Sequence, residues 1–277
     1  IGNSGAITST SDYGLYVSSV ADASGATFTG SIFNSGTIVS YDTGLYISDV
    51  GDDFVGSIVN TGTIGSNDAK GMLVENVASA GTFSGDIVNG GLITSYDTGL
   101  YINDVGGSTF IGGIINSGSI RAAYGDGVYV DTVSGINIVN TDNIVGSVGV
   151  VLDSGTTSDT LIDSYFIATN VSGGTAIELN GAGDNLELKA GYTIVGLAIG
   201  NGTDSELELG GAVKGNFNLS ELGPQYENFD SFDILSGAKW LLTGTGAAGT
   251  GTTSGLDVLS GGTALLAGHY TSGTVES

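Results

Sequence analysis

The chain has 277 residues, 50 of them glycine and one proline, with 29 acidic residues against five basic ones and a net charge of −24. That imbalance repels nucleic-acid phosphates and excludes nucleic-acid binding, while the lack of cysteine excludes disulfides and cysteine-held metals as staples. Hydrophobic residues make up 40%, too many for a disordered tract, yet no run of about 18 apolar residues could cross a bilayer as a helix, so no membrane insertion is expected.

From Ile1 to residue 159 one motif occurs six times: Ile-x-Asn-x-Gly-x-Ile, an acidic turn, Gly-apolar-Tyr-apolar, and usually a Phe near a Gly. The copies begin at Ile1, Ser31, Ser57, Asp86, Gly113 and Ile136, with lengths of 30, 26, 29, 27, 23 and 24. A unit of this size buries its apolar edge only against its neighbours, the signature of a stacked architecture. No stretch of 10–12 residues carries helical periodicity with caps, so a βαβ arrangement is disfavoured. The prediction is an all-β right-handed parallel β-helix, a β-solenoid with about three short strands per coil and ~4.8 Å between coils.

Within each copy, period-two spacing puts the first Ile, the Asn, the Gly and the second Ile on one face, as in Ile32, Asn34, Gly36 and Ile38. The Ile residues suit the interior; the Asn and Gly suit a bend where stacked amides bond from coil to coil. A second strand places Leu15/Val17, Leu45/Ile47, Met72/Val74, Leu100/Ile102, Val128/Val130 and Val150/Leu152 inward. A third inward edge comes from Phe28, Phe54, Phe83 and Phe110, with Ile136 next in line.

Outward positions are the candidate interaction surface. Tyr16, Tyr46, Tyr101 and Tyr129 form an external stripe interrupted by Leu73, and Tyr41 and Tyr96, with Tyr13 and Tyr124, sit on the preceding turns. Such a row can bind sugars, pack on a sister rod, or stabilise the sheet by like-with-like stacking. Two acidic stripes run alongside: Asp12, Asp42, Asp68, Asp97 and Asp126 before the glycines, and Asp49, Glu75, Asp104 and Asp131 after the second strand. Turn chemistry accounts for Asp before Gly, and cation binding is the competing account. Ile1, Asn3 and Ile7 begin the first coil, whose unpaired strand edges would offer a template for a second molecule. The start at Ile1, with neither Met nor a leader, suggests either a processed mature fragment or an artificially trimmed chain.

The motif decays over 160–206, where strands are expected at Ala176–Leu179, Asn185–Leu188, Thr193–Ile199 and Glu206–Leu209. Two Gly/Asn/Asp stretches, containing Asp184 and Asp204, resemble the calcium-binding nonapeptide of secreted β-rolls; simple turns are the competing account, and calcium is the one cofactor considered.

Residues 207–277 form the third segment. The run Leu207-Glu-Leu-Gly-Gly, then Phe217-Asn-Leu-Ser, Gly223-Pro-Gln-Tyr-Glu-Asn-Phe and Trp240-Leu-Leu-Thr-Gly resembles the C-terminal passenger region of bacterial autotransporters. The Asn34-to-Ile38 repeats resemble the passenger β-helix of the same family, so the resemblance covers nearly the whole chain. It implies export through an outer-membrane barrel to the bacterial cell surface, with an autochaperone-like segment capping the solenoid around Phe217, Leu219, Tyr226, Phe229, Phe232 and Trp240. It also implies a signal before Ile1 and a barrel after Ser277, neither of which is in this sequence.

Catalytic patterns are poor. The single histidine, His269, lies in a Gly/Ser/Thr-rich segment, with no nucleophile elbow to serve and no His or Cys cluster for zinc. One Arg and four scattered Lys cannot build a uronate-neutralising cleft. A carboxylate pair for glycoside hydrolysis stays open, although acids recurring in every coil suit repeat maintenance better. The sequence therefore points to a non-enzymatic surface protein that self-associates as an adhesin or fibre. A monomeric adhesin with a glycan or protein ligand is the alternative.

Overall fold

The computed structural model describes residues 1–21, 23–107, 109–247 and 255–271. Parts 248–254 and 272–277 of the expected C-terminal segment lie outside the described residues. The chain is a parallel β-helix: each strand pairs in parallel with its counterpart in the neighbouring coil. Among the described residues the first sheet stacks 11 strands, from Gly2–Asn3 to Leu256–Val258. The second has eight, from Ala6–Thr8 to Thr193–Val195, and the third nine, from Leu15–Val20 to Tyr226–Glu227. A fourth sheet, of four strands, carries Thr27–Thr29, Asp53–Val55, Thr82–Ser84 and Thr109–Ile111.

The strand count per coil is thus four in the N-terminal coils and three beyond them. The predicted first strand is two: Ile32–Asn34 belongs to the first sheet and Thr37–Ser40 to the second. The corner between them needs glycine, because a Cβ at Gly62 would lie 2.0 Å from the Gly36 carbonyl oxygen of the coil below. The fourth sheet ends where the repeats shorten to 23 and 24 residues; Val133 and Ile136 are buried just beyond the last Phe strand.

Columns of identical side chains fill the interior. Ile32, Ile58 and Ile87 stack directly, as do Ile38, Ile64 and Ile93. Phe28, Phe54, Phe83 and Phe110 follow at ring-centroid spacings of 5.0, 4.9 and 4.6 Å. Between the Ile columns the buried Asn side chains bond coil to coil, from Asn3 Nδ2 to Asn34 Oδ1 at 2.9 Å and onward through Asn60, Asn89, Asn116 and Asn140. This is the amide ladder the repeat predicts.

First-sheet pairing crosses residues 160 and 207 without a break. The expected strand Thr193–Ile199 is divided at Gly196, whose φ of 124° turns the chain from Thr193–Val195 into Leu197–Gly200. Beyond it the second sheet stops, and Gly215–Asn218, Lys239–Thr243 and Thr263–Leu266 form a separate three-stranded sheet.

Candidate functional site

The tyrosine stripe lies on the outer face of the third sheet, where registered pairing aligns Tyr16 with Tyr46 and Tyr101 with Tyr129. Leu73 separates the pairs, so the column is two stacks, with centroids 4.8 and 5.0 Å apart, and not one ladder. Tyr13 packs against both Tyr16 and Tyr46. The Tyr46 and Tyr129 hydroxyls donate to Glu75 and Asp153, and burial followed by these bonds pushes both phenols well above their ordinary range. Lys70 Nζ sits 5.1 Å from the Tyr101 ring centre while pairing with Asp97 at 3.1 Å. Only Tyr16, at 49%, is widely exposed in this stripe. The turn tyrosines Tyr41 and Tyr96 are open to solvent, and Tyr96 packs on Tyr124 at 4.6 Å.

Acidic residues border that face. Asp12 and Asp42 accept the backbone N–H of the next residue, at 2.9 and 2.7 Å, which is local turn chemistry. The second acidic stripe resolves into two columns. Glu75 and Asp131 share a column with Ser48 and Asn103, whereas Asp49 and Asp104 come one residue later in the left-handed region, with φ of 51° and 49°. Asp is among the few non-glycine residues that tolerate that conformation, which explains its place at the corner.

Residues not anticipated as a surface dominate the outer face of the first sheet. The middle position of Ile-x-Asn forms a registered ridge of Phe33, Val59, Val88, Ile115, Val139 and Ile162. Phe33 is 44% exposed and the others half-buried, over a span of ~24 Å at ~4.8 Å per coil. The adjoining second sheet presents Val39, Gly65, Thr94, Arg121 and Val145, and the next residue in that column, Ala168, is buried. Across the first and second sheets of these six coils, the outward charges are Asp86, Asp142 and Arg121 alone. The signal was in the sequence, as an apolar residue at the x position, but an apolar x also suits a strand buried on both faces.

At Ile162 the ridge ends abruptly. The next four positions in the same column are Glu187, Glu208, Asp233 and Asp257, on adjacent strands. Burial, then the charges of Glu206, Glu187 and Asp233, push the Glu208 carboxyl up to about 7. Lys189 lies 3.6 Å from Glu187 as its partner.

The two candidate calcium ligands lie in different surroundings, one buried and one exposed. Asp184 is fully buried, with Oδ1 accepting from the Asp159 N–H at 3.0 Å and Oδ2 from Thr156 Oγ1 and the Gly181 N–H at 2.6 and 3.2 Å. Asp204 sits exposed in a turn at φ 60°. Among the described residues no group of three His, Cys, Asp or Glu side chains is arranged to hold a metal ion.

On the first coil the Ile1 ammonium donates to the Ser31 carbonyl at 2.9 Å, Asn3 begins the amide ladder, and Ile7 is half-buried and in register with Ile38. Phe217, Leu219, Tyr226, Phe229, Phe232 and Trp240 are all buried, and Trp240 Nε1 donates to the Gly210 carbonyl at 3.1 Å. They fill the interior of the late coils and do not plug its end, because Leu256–Val258 and Thr263–Leu266 stack beyond them. His269 is exposed on the strand His269–Thr271. Comparison with family models, with curated proteins and with solved structures finds no match.

Proposed function

We propose that this chain is a non-catalytic β-helical rod of the bacterial cell surface that works by lateral self-association through its neutral ridge. The carrying observation is charge segregation. In a molecule of net charge −24, the outer face of Phe33, Val59, Val88, Ile115, Val139 and Ile162 is a long strip where two copies can approach with few opposing carboxylates, Asp86 and Asp142 being the acids beside it. The tyrosine stripe serves this role less well, since Glu75, Asp131 and Asp153 flank it and two of its hydroxyls are already bonded. The likeness of the Asn-x-Gly repeats and of the Phe217-to-Trp240 block to autotransporter passengers supports a surface, adhesive setting.

Sedimentation velocity over a range of protein concentrations tests this. The unaltered chain is expected to form dimers or longer assemblies, and the double variant Val88→Asp, Ile115→Asp to sediment as a monomer with an unchanged circular dichroism spectrum. A Tyr16→Ala, Tyr101→Ala variant should assemble normally. A monomeric unaltered chain, or assembly lost only in the tyrosine variant, would overturn the ridge as the contact face.

A further inference from the structure

The regular ladder of the second sheet breaks at one place, and a cleft opens there. Thr193–Val195 pairs with Phe166–Thr169 on one side only. Gly215–Asn218, at the equivalent place one coil on, pairs away from it, with Lys239–Thr243. Between them lies a recess of about 370 Å³ lined by Tyr192, Asn216, Glu221, Gln225 and Tyr226. Gln225 closes the bare strand edge, its Nε2 donating to the carbonyls of Ile194 at 2.9 Å and Gly196 at 3.3 Å. The edge is thereby unavailable to an added peptide strand, but the recess stays open.

Its polar groups are incompletely used. Tyr226 is fully buried at the base of the recess, with the Tyr192 side chain as the polar neighbour of its hydroxyl. Glu221, half-buried, receives one long bond, from Asn218 Nδ2 at 3.3 Å. Asn216 is exposed at the rim, and Tyr192 presents a half-buried ring. Gln225 has given its amide N–H groups to the backbone, which leaves its Oε1 as an acceptor.

We propose that this cleft is a binding site for a neutral, hydroxyl-rich ligand, a saccharide unit stacked on Tyr192 with its hydroxyls shared between Glu221 and Asn216. Three features select that class. The lining mixes acceptors, the Glu221 carboxylate and Gln225 Oε1, with groups that donate and accept, the Asn216 amide and the Tyr192 and Thr193 hydroxyls, so it suits a ligand carrying several O–H groups that do both. It has no Lys or Arg and one carboxylate, so uronates, sialic acids and phosphates are repelled, increasingly so as water is displaced. Its size lies at the small end of ligand sites, roughly 300–1,000 Å³, and an aromatic wall with a few convergent polar groups is their usual composition. The cleft lies beyond the neutral ridge, so this inference is independent of self-association.

The test is saturation-transfer difference NMR on the whole chain at millimolar sugar, with glucose, galactose, mannose and N-acetylglucosamine as neutral probes and glucuronate and n-butylamine as charged ones. At least one neutral sugar should receive saturation and glucuronate should not. Asn216→Ala should weaken the neutral sugar by about two- to tenfold, the usual net worth of one neutral hydrogen bond at a solvent-exposed rim. Glu221→Gln should narrow the discrimination against glucuronate. Both are partly exposed positions, and circular dichroism checks that each variant is folded. Saturation in none of the neutral sugars, binding unchanged in both variants, or preference for the amine would each overturn the assignment. The ridge variant Val88→Asp, Ile115→Asp should bind sugar normally, which separates failure here from failure of the self-association reading.

Discussion

Asn140 donates from Nδ2 to Asp163 Oδ1 at 2.7 Å, and that bond terminates the amide ladder begun at Asn3. Each Asn gives an N–H to the carbonyl oxygen of the Asn in the next coil, so all bonds run in one direction. The next residue in the column after Asp163 is Leu188, which cannot accept. An acceptor-only side chain therefore suits the last rung, where an amide would aim its donors at hydrocarbon. The termination has a cost: burial, opposed by the bonds from Asn140 and the backbone, pushes the Asp163 carboxyl up to about 6, and its Oδ2 has no partner.

Breaking the ladder in the middle should be expensive. Asn89→Leu leaves the Asn60 amide without its acceptor and Asn116 Oδ1 without its donor, both buried. A loss of about 2–6 kcal/mol is expected, since each of the two orphaned groups costs ~1–3 kcal/mol. Urea unfolding followed by circular dichroism would check this, and an unchanged midpoint would remove the ladder as a source of stability.

The phenylalanine column should show a gradient. Phe83 is fully buried between Phe54 and Phe110, whereas Phe28 is half-buried at the start of the column. Phe83→Ala should cost about 3–5 kcal/mol through lost burial and the cavity left behind, and Phe28→Ala clearly less. Equal losses at the two sites in the same denaturation experiment would contradict the packing described.

The Asn-x-Gly corner should reject even one methyl group. A Cβ on Gly91 would stand 2.1 Å from the Gly62 carbonyl oxygen, and the obstacle is backbone that cannot swing aside. Gly91→Ala should cost about 1–3 kcal/mol. Hydrogen exchange should rise at Leu92 and Ser117, whose N–H groups bond neighbouring coils beside this corner. Protection unchanged at both amides would argue against backbone contact as the reason for glycine.

Acidification should stabilise the fold. Burial pushes Asp159 and Glu208 up to about 7 and Asp163 up to about 6, all above their ordinary unfolded values near 4. Between roughly pH 4 and pH 7 the native state therefore binds more protons than the unfolded one, so stability falls as pH rises through that window. The melting temperature should be higher at pH 5 than at pH 8, and Asp159→Asn combined with Glu208→Gln should flatten the difference. A melting temperature that drops on acidification, or a dependence untouched by both substitutions, would contradict the assignment. The variants matter because relief of the −24 net charge acts in the same direction.

Much of this architecture was legible in the residues. The coil boundaries, the inward Ile, Leu and Phe columns and the Asn ladder follow from a repeat that carries the same side chain to the same place every 23–30 residues. The outward direction of Tyr16, Tyr46, Tyr101 and Tyr129 follows from period two alone. The shortening of the fifth and sixth repeats already encoded the loss of the fourth strand, although the predicted three strands per coil did not use it.

Other features depended on neighbours that the chain order conceals. Asp163 reads as an ordinary acid beside Ile162 until stacking sets it against Asn140, and Asp184 reads as a turn residue or a calcium ligand alike until burial is seen to give its oxygens to Thr156, Asp159 and Gly181. The ridge from Phe33 to Ile162 is a surface only because the coil closes with those side chains outside, and the cleft at Tyr192 exists only because one strand fails to pair with the next. By itself the sequence determined which residues recur, and hence the coil and its core. The tertiary structure alone decided which columns are exposed, where the ladders end and which charges meet, because those depend on contacts between residues one full coil apart.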